Sequence, residues 1–180
     1  MRTLKRTLQS YGFCLEPIEA VFVTHDHADH IKSVGNLAND KNIPIYATLP
    51  IHIGINRNYG VTSKLTASHI RIIHKEEQIQ FGDFTITPFE VLHDSSDCVG
   101  YQVDVEGVTF VLITDAGQVT QTLMERVSNA NYLVLESNHD EDMLAMGPYP
   151  AYLKGRIRSG RGHLSNKQAA TMLAEHAKEK

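Results

Sequence analysis

With only two cysteines, Cys14 and Cys98, the chain has no recognisable disulfide framework. That points to a reducing compartment, and hence to the cytoplasm. Long hydrophobic runs are missing as well: no stretch approaches the ~18 to 20 apolar residues of a membrane span. The N-terminus is basic (Arg2, Lys5, Arg6) but lacks the apolar segment of an export signal, and Leu4, Leu8 and Tyr11 fit one face of an ordinary helix. Neither sign of charge dominates, with 17 Lys and Arg against 21 Asp and Glu, so the net charge of −4 says little about partners. Aromatic residues are only 7%, and no platform for stacking bases stands out; Tyr149 and Tyr152 read as packing residues. There are no repeats, low-complexity segments or linkers. The 42% of apolar residues supports a core, and 180 residues predict one domain over 1–180.

Strand-like and helix-like segments alternate along the chain. Helices are predicted over 2–10, 31–39, 119–128, 140–146 and 166–178, with a helical turn over 50–57. Strands are predicted over 20–24, 43–47, 70–73, 78–81, 84–91, 99–105, 109–114 and 131–136. Gly82-Asp83 and Glu106-Gly107 are the expected hairpin turns. The continuous apolar runs at 109–114 and 131–136 read as buried strands. Ser165 and Gln168 have the spacing of a capping box for the last helix. Mixed elements around a long antiparallel middle predict an α/β or α+β layered fold.

The densest chemistry lies in His25-Asp26-His27-Ala28-Asp29-His30, directly after the apolar run Ala20-Val21-Phe22-Val23-Thr24. With 10 His and 10 Asp in the chain, the pattern His-x-His-x-Asp-His should arise by chance roughly twice in a thousand such sequences. In extended backbone, residues 25 and 27 share a face and can grip one ion. Asp29 and His30, past the turn, are expected to point elsewhere and serve a second. Imidazole and carboxylate donors suit zinc, manganese or iron.

Further candidates sit at the ends of other strands. His93 follows strand 84–91. Asp115 ends the most apolar strand, where a carboxylate is costly unless it is paired or bound to metal, and it suits a bridge between two ions. Gly117 is read as a turn. His163 stands at the mouth of the last helix, next to Ser165 and after Lys154, Arg156, Arg158 and Arg161. Basic residues beside a helix N-terminus make a phosphate site, or simply a solvated face. His139 is either a site residue or an ordinary loop histidine. His52, His69, His74 and His176 have no partners in spacing and are read as surface residues.

Taken together, these motifs resemble the metallo-β-lactamase superfamily, and the segments 24–35, 135–140, 146–150 and 162–166 resemble its YycJ/WalJ-like branch. The resemblance implies a four-layer αββα sandwich. It implies two divalent ions, Zn2+ or Mn2+ with Fe possible. His25, His27 and His93 would hold the first, Asp29 and His30 the second, and Asp115 would bridge. It further implies a phosphodiesterase, a nuclease working from a 5′ end on nucleic acid, with DNA favoured over RNA. Hydroxide generated at the ions would attack phosphorus and Asp29 would orient it. His163 would act at the scissile phosphate, and Arg158, Arg161 and Ser165 would bind substrate. Hydrolysis of a small ester, thioester or lactam is an alternative on the same site, and an inactive metal-binding fragment is another. The family pattern also has strands ahead of residue 2 and a final strand carrying a last histidine. This chain is therefore expected to be a domain trimmed at both ends, with exposed apolar strand edges.

Overall fold

A computed structural model describes residues 2–177, and in it the chain folds as two compact units. The first comprises the chain up to Ile73 together with Ser95–Asp97; the second comprises His74–Asp94 and the chain from Cys98 onward.

In the first unit, α1 (Arg2–Ser10), β1 (Val21–Phe22), α2 (Ala28–Ile31), α3 (Val34–Lys41), β2 (Ile45–Ala47), α4 (Leu49–Arg57) and β3 (Ile70–Ile72) follow in order. The three strands form a parallel sheet, β1-β2-β3, in which Val21 pairs with Ile45 and Ile45 with Ile70. The expected strand 20–24 shrinks to two residues, but its ladder continues as Val23 N–H donates to Tyr46 O at 3.0 Å. The helix expected over 31–39 is split into α2 and α3. Its predicted apolar stripe, Ile31, Val34, Leu37 and Ala38, is buried throughout. Asn42 ends α3 in the left-handed conformation, φ 53°, a common helix stop. His52 and His69, read from sequence as surface residues, are buried. Each finds one local partner: His52 Nε2 lies 3.1 Å from Arg71 O, and His69 Nδ1 lies 3.0 Å from Thr66 Oγ1. A histidine with no partner in sequence spacing can still find one across an adjacent strand or turn.

The second unit runs β4 (Ile79–Phe81), β5 (Phe84–Glu90), β6 (Val99–Val105), β7 (Val108–Ile113), α5 (Gln121–Asn129), β8 (Tyr132–Leu135), α6 (Glu141–Met146), α7 (Ala151–Arg158) and α8 (Asn166–His176). Its sheet has the order β4-β5-β6-β7-β8, antiparallel except for the parallel β7–β8 pair. Both hairpin turns occur where expected. Glu106 and Gly107 both have positive φ, 50° and 78°, as a two-residue I′ loop requires.

One face of this sheet buries Phe89, Val91, Val111 and Ile113 against Leu123 and Val127 of α5 and Met172 of α8. The runs 109–114 and 131–136 are therefore half-buried rather than fully buried strands. Side chains alternate across the sheet, which leaves Phe110 37% and Val134 44% exposed on the opposite face. Tyr132 and Val134 are exposed on β8, the last strand of the sheet, as expected of apolar strand edges. The capping box forms as predicted: Ser165 Oγ accepts from Gln168 N–H, and Gln168 Oε1 accepts from Ser165 N–H. The last helix is described to His176; Lys178, within the predicted span, lies outside the described residues. Helix α7 was not anticipated. It has no buried residue, so no apolar period marks it in the sequence.

Candidate metal centre

The histidine cluster of the first unit occupies the passage from β1 into α2. Extended backbone at His27 (φ −64°, ψ 143°) carries the chain to the helix start. The His25 and His27 rings are 4.9 Å apart between centroids and nearly perpendicular, so the shared face predicted for them forms. His30 does not point elsewhere: the single turn of α2 carries its ring back to 4.1 Å from that of His25. His25 is fully buried with Nδ1 3.1 Å from Thr24 Oγ1, so Nε2 is the atom it could offer to an ion. Asp29 is largely exposed, 3.7 Å from His30 Nε2.

Asp26, to which the sequence reading gave no role, anchors this loop. Its carboxylate accepts Ser96 N–H at 3.0 Å and Ser96 Oγ–H at 2.6 Å. Thr48 Oγ–H likewise donates to Asp97 at 2.7 Å. The segment Ser95–Asp97 is thus fastened to the rest of the first unit by hydrogen bonds.

In the second unit His93 follows the end of β5 and is buried. Its Nδ1 lies 2.9 Å from Gly162 O. A carbonyl only accepts, so Nδ1 carries the proton and Nε2 the lone pair. Fixing a histidine tautomer through a backbone carbonyl is how proteins aim an imidazole at a metal. Asp115, just beyond β7, adopts φ +54°, a left-handed conformation uncommon for a residue with a side chain and frequent at functional sites.

His163 completes this group. Its Nδ1 lies 2.6 Å from Glu136 Oε1 and 3.9 Å from Asp115 Oδ1, and its ring is 5.0 Å from that of His93. The other oxygen of Glu136 accepts Ala116 N–H at 2.7 Å and Leu164 N–H at 3.2 Å. One carboxylate at the end of β8 therefore ties the Asp115 loop to the His163 loop. The Glu136 hydrogen bond, helped by the charges of Glu136, Asp115 and Asp94, holds His163 above the usual imidazole range against an opposing effect of burial. His93, Asp115 and His163 each offer a ligand atom, all within 4.8 Å of one another. Of these, His93 Nε2 and the Asp115 carboxylate are donors that fit a divalent ion, while His163, bound to Glu136 through Nδ1, stands beside them. Sequence reasoning missed Glu136; its one signal was a carboxylate ending an apolar strand, the same signal that marked Asp115.

Gly117, expected to be a turn, serves a different purpose. Its N–H donates to Leu92 O at 2.7 Å, and a Cβ there would lie 2.5 Å from Arg161 Cα and 2.6 Å from Arg161 N. It permits the backbone before His163 to close on the loop after Asp115. Gly117→Ala must displace that backbone, at a cost of about 1 to 3 kcal/mol. Urea unfolding should show a lowered midpoint with unchanged slope.

The predicted phosphate residues divide. Arg156 is committed to Asp94 through Nε and Nη2, and Lys154 donates to Ala145 O at 2.7 Å. The Ser165 hydroxyl is engaged at the helix cap and donates to Glu141 Oε1 at 2.8 Å. Arg158 and Arg161 are exposed. Arg158 lines a polar cavity of about 400 Å³ together with His139, His163, Ser165, Glu141 and Gln168. His139 Nδ1 is buried there without a hydrogen-bond partner. Burial, with the charges of His163 and Arg158, keeps that ring below the usual imidazole range although Glu141 and Glu136 oppose the effect. Tyr149 and Tyr152 are not packing residues, being 53% and 77% exposed.

A model of the beta-lactamase superfamily domain matches residues 4–180. Exodeoxyribonuclease YycJ of Bacillus anthracis is 34% identical over 161 residues, covering 89% of this chain. The chain spans 60% of that relative's length. Among solved structures, Zn2+-bound PqqB from Methylobacterium extorquens superposes with a TM-score of 0.70 at 20% identity, over 90% of this chain and 60% of the other. The metallo-β-lactamase fold protein YhfI from Bacillus subtilis gives 0.65 at 21% identity, over 93% and 64%. The mixed α/β architecture expected from the motifs, and the resemblance to the YycJ-like branch, are both borne out.

Proposed function

The chain belongs to the beta-lactamase superfamily domain family, and from that premise we propose that it is a metal-dependent phosphodiesterase, a nuclease acting on DNA from a 5′ end. The observation that carries this reading is the convergence of His93, Asp115 and His163, with His163 held by Glu136. The name of the relative YycJ, an exodeoxyribonuclease, supports the choice of substrate.

The proposed ligands are His25, His27, Asp29 and His30 in the first unit and His93 and Asp115 in the second, serving two divalent ions, zinc or manganese. When bound, such ions supply Lewis acidity, lowering the pKa of water toward ~7 and offsetting negative charge on a phosphoryl oxygen. The chain's own residues do the rest. Asp29, largely exposed, orients the attacking water. His163, kept protonated by Glu136, donates to a phosphoryl oxygen or to the leaving oxygen. Gly162 O fixes the proton of His93 on Nδ1. Arg158 at the end of α7 and Arg161 in the loop that leads to His163, both exposed, hold flanking phosphates through charge, so binding falls steeply with salt.

Hydrolysis of a small ester or lactam lacks this last signature. The test is a 5′-phosphorylated single-stranded oligodeoxynucleotide incubated with protein purified without a histidine tag. Release of nucleotides from the 5′ end, abolished by a chelator and restored by zinc or manganese, is the expected outcome. Intact oligonucleotide together with metal-dependent cleavage of a lactam or thioester would overturn the phosphodiesterase assignment.

A further inference from the structure

Against α6 and the connection from α6 to α7 lies a second concavity, of about 590 Å³, whose walls include Met143, Leu144, Pro148, Tyr149, Asn166 and His139. Its shape is held firmly. Lys154 of α7 donates to Ala145 O of α6 at 2.7 Å, and Arg158 to Glu141 O at 3.2 Å, so the two helices are pinned at two levels. Pro148 and Pro150 stiffen the connection between them. Yet its most prominent side chains are left to solvent: Met143 is 72% and Tyr149 53% exposed, and Met146 and Tyr152 beside them are more exposed still. Soluble domains rarely place such residues together on a surface without a partner.

Two features define that partner. His139 lines both this groove and the polar cavity that contains His163 and Arg158, so the groove is continuous with the proposed phosphate-handling residues. The cation at hand is Arg158, which lines that adjoining cavity, whereas Lys154 and Arg156 are engaged with Ala145 O and Asp94. An aromatic face and a polarisable thioether, leading into a cavity that holds His163 and Arg158, match one ligand chemistry: an unpaired nucleobase on a phosphodiester strand.

We infer that the α6–α7 groove binds an unpaired nucleobase of the substrate strand, stacked on Tyr149 and packed by Met143, with the adjoining phosphate toward His139 and His163. This rests on the nuclease reading above and narrows it to strands with single-stranded ends, because a base held in a pair cannot enter the groove until it is unpaired.

The test measures binding of a fluorescein-labelled, 5′-phosphorylated oligodeoxynucleotide with phosphorothioate linkages, single-stranded or as a blunt duplex, by anisotropy on the full chain. Loss of one base–aromatic stack predicts that Tyr149→Ala weakens single-strand binding roughly 5- to 150-fold, while Tyr149→Phe retains it. The duplex is expected to bind more weakly and to be insensitive to both variants. The melting temperature should be equal in wild type and Tyr149→Ala, and absence of metal-dependent bis(p-nitrophenyl) phosphate cleavage by the wild type would overturn the hydrolase reading separately. Unchanged single-strand affinity in Tyr149→Ala overturns the groove assignment, as does failure of the wild type to bind the strand. A wild-type dimer that Tyr149→Ala converts to monomer in sedimentation also overturns it, making the groove a contact between copies of the chain.

Discussion

His93→Ala is expected to abolish metal-dependent hydrolysis and to lower the metal bound per chain. His93 is buried, and Gly162 O fixes its tautomer so that Nε2 carries the lone pair. Mutations that only disturb such orienting contacts cost 10- to 100-fold in metal affinity or activity, so removing the ligand itself should reduce activity by at least about 100-fold. The substitution has a structural side as well. It leaves Gly162 O without its donor in a buried setting, a penalty of about 1 to 3 kcal/mol. The chemical and structural effects separate when metal content, by elemental mass spectrometry, is measured beside the melting temperature. His93→Gln can refill part of the volume and offer an N–H to the carbonyl, and should recover stability without recovering activity. Wild-type metal content and rate in a folded His93→Ala protein would remove His93 from the ligand set.

The second large effect belongs to the His163–Glu136 pair. His163→Ala should reduce kcat by about 10²- to 10⁴-fold, the range for loss of a positioned general acid. Glu136→Gln tests the cause rather than the group. The Glu136 hydrogen bond raises the His163 pKa, so the protonated form persists as pH climbs past the ordinary imidazole value and is lost as pH rises through the raised one. Activity dependent on that proton therefore falls on the alkaline side, and Glu136→Gln moves the fall to lower pH. Stability follows the same sign. The pair's contribution is fully present below the unfolded-state histidine pKa of ~6.5 and disappears as pH rises through the folded value. Glu136→Gln should then lower the melting temperature more at pH 6 than at pH 9. An alkaline limb at the same pH in both proteins would show that His163 is not the titrating acid.

What could be read from the sequence was whatever repeats along the chain or is dense within it. The stripe Ile31, Val34, Leu37, Ala38, the two hairpin turns and the Ser165–Gln168 cap are local patterns, and each appears in the structure where its spacing placed it. The His25–His30 cluster was legible for the same reason, its residues falling within one strand end and one helical turn. Helix α7 was not legible because nothing on it is buried. The full burial expected of 109–114 and 131–136 failed because composition does not reveal whether both faces of a strand are covered.

Only tertiary structure decided how the remaining chemistry is arranged. The Gly162 carbonyl reaches His93 across 69 residues, and Glu136 reaches His163 across 27. Gly117 matters because a distant loop lies against it, and Tyr149 because about half of it is left to solvent. Hydrogen bonds of such separation leave no period in the sequence. They exist because the sheet brings the ends of β5, β7 and β8 to one side, and the residues just past those ends then meet.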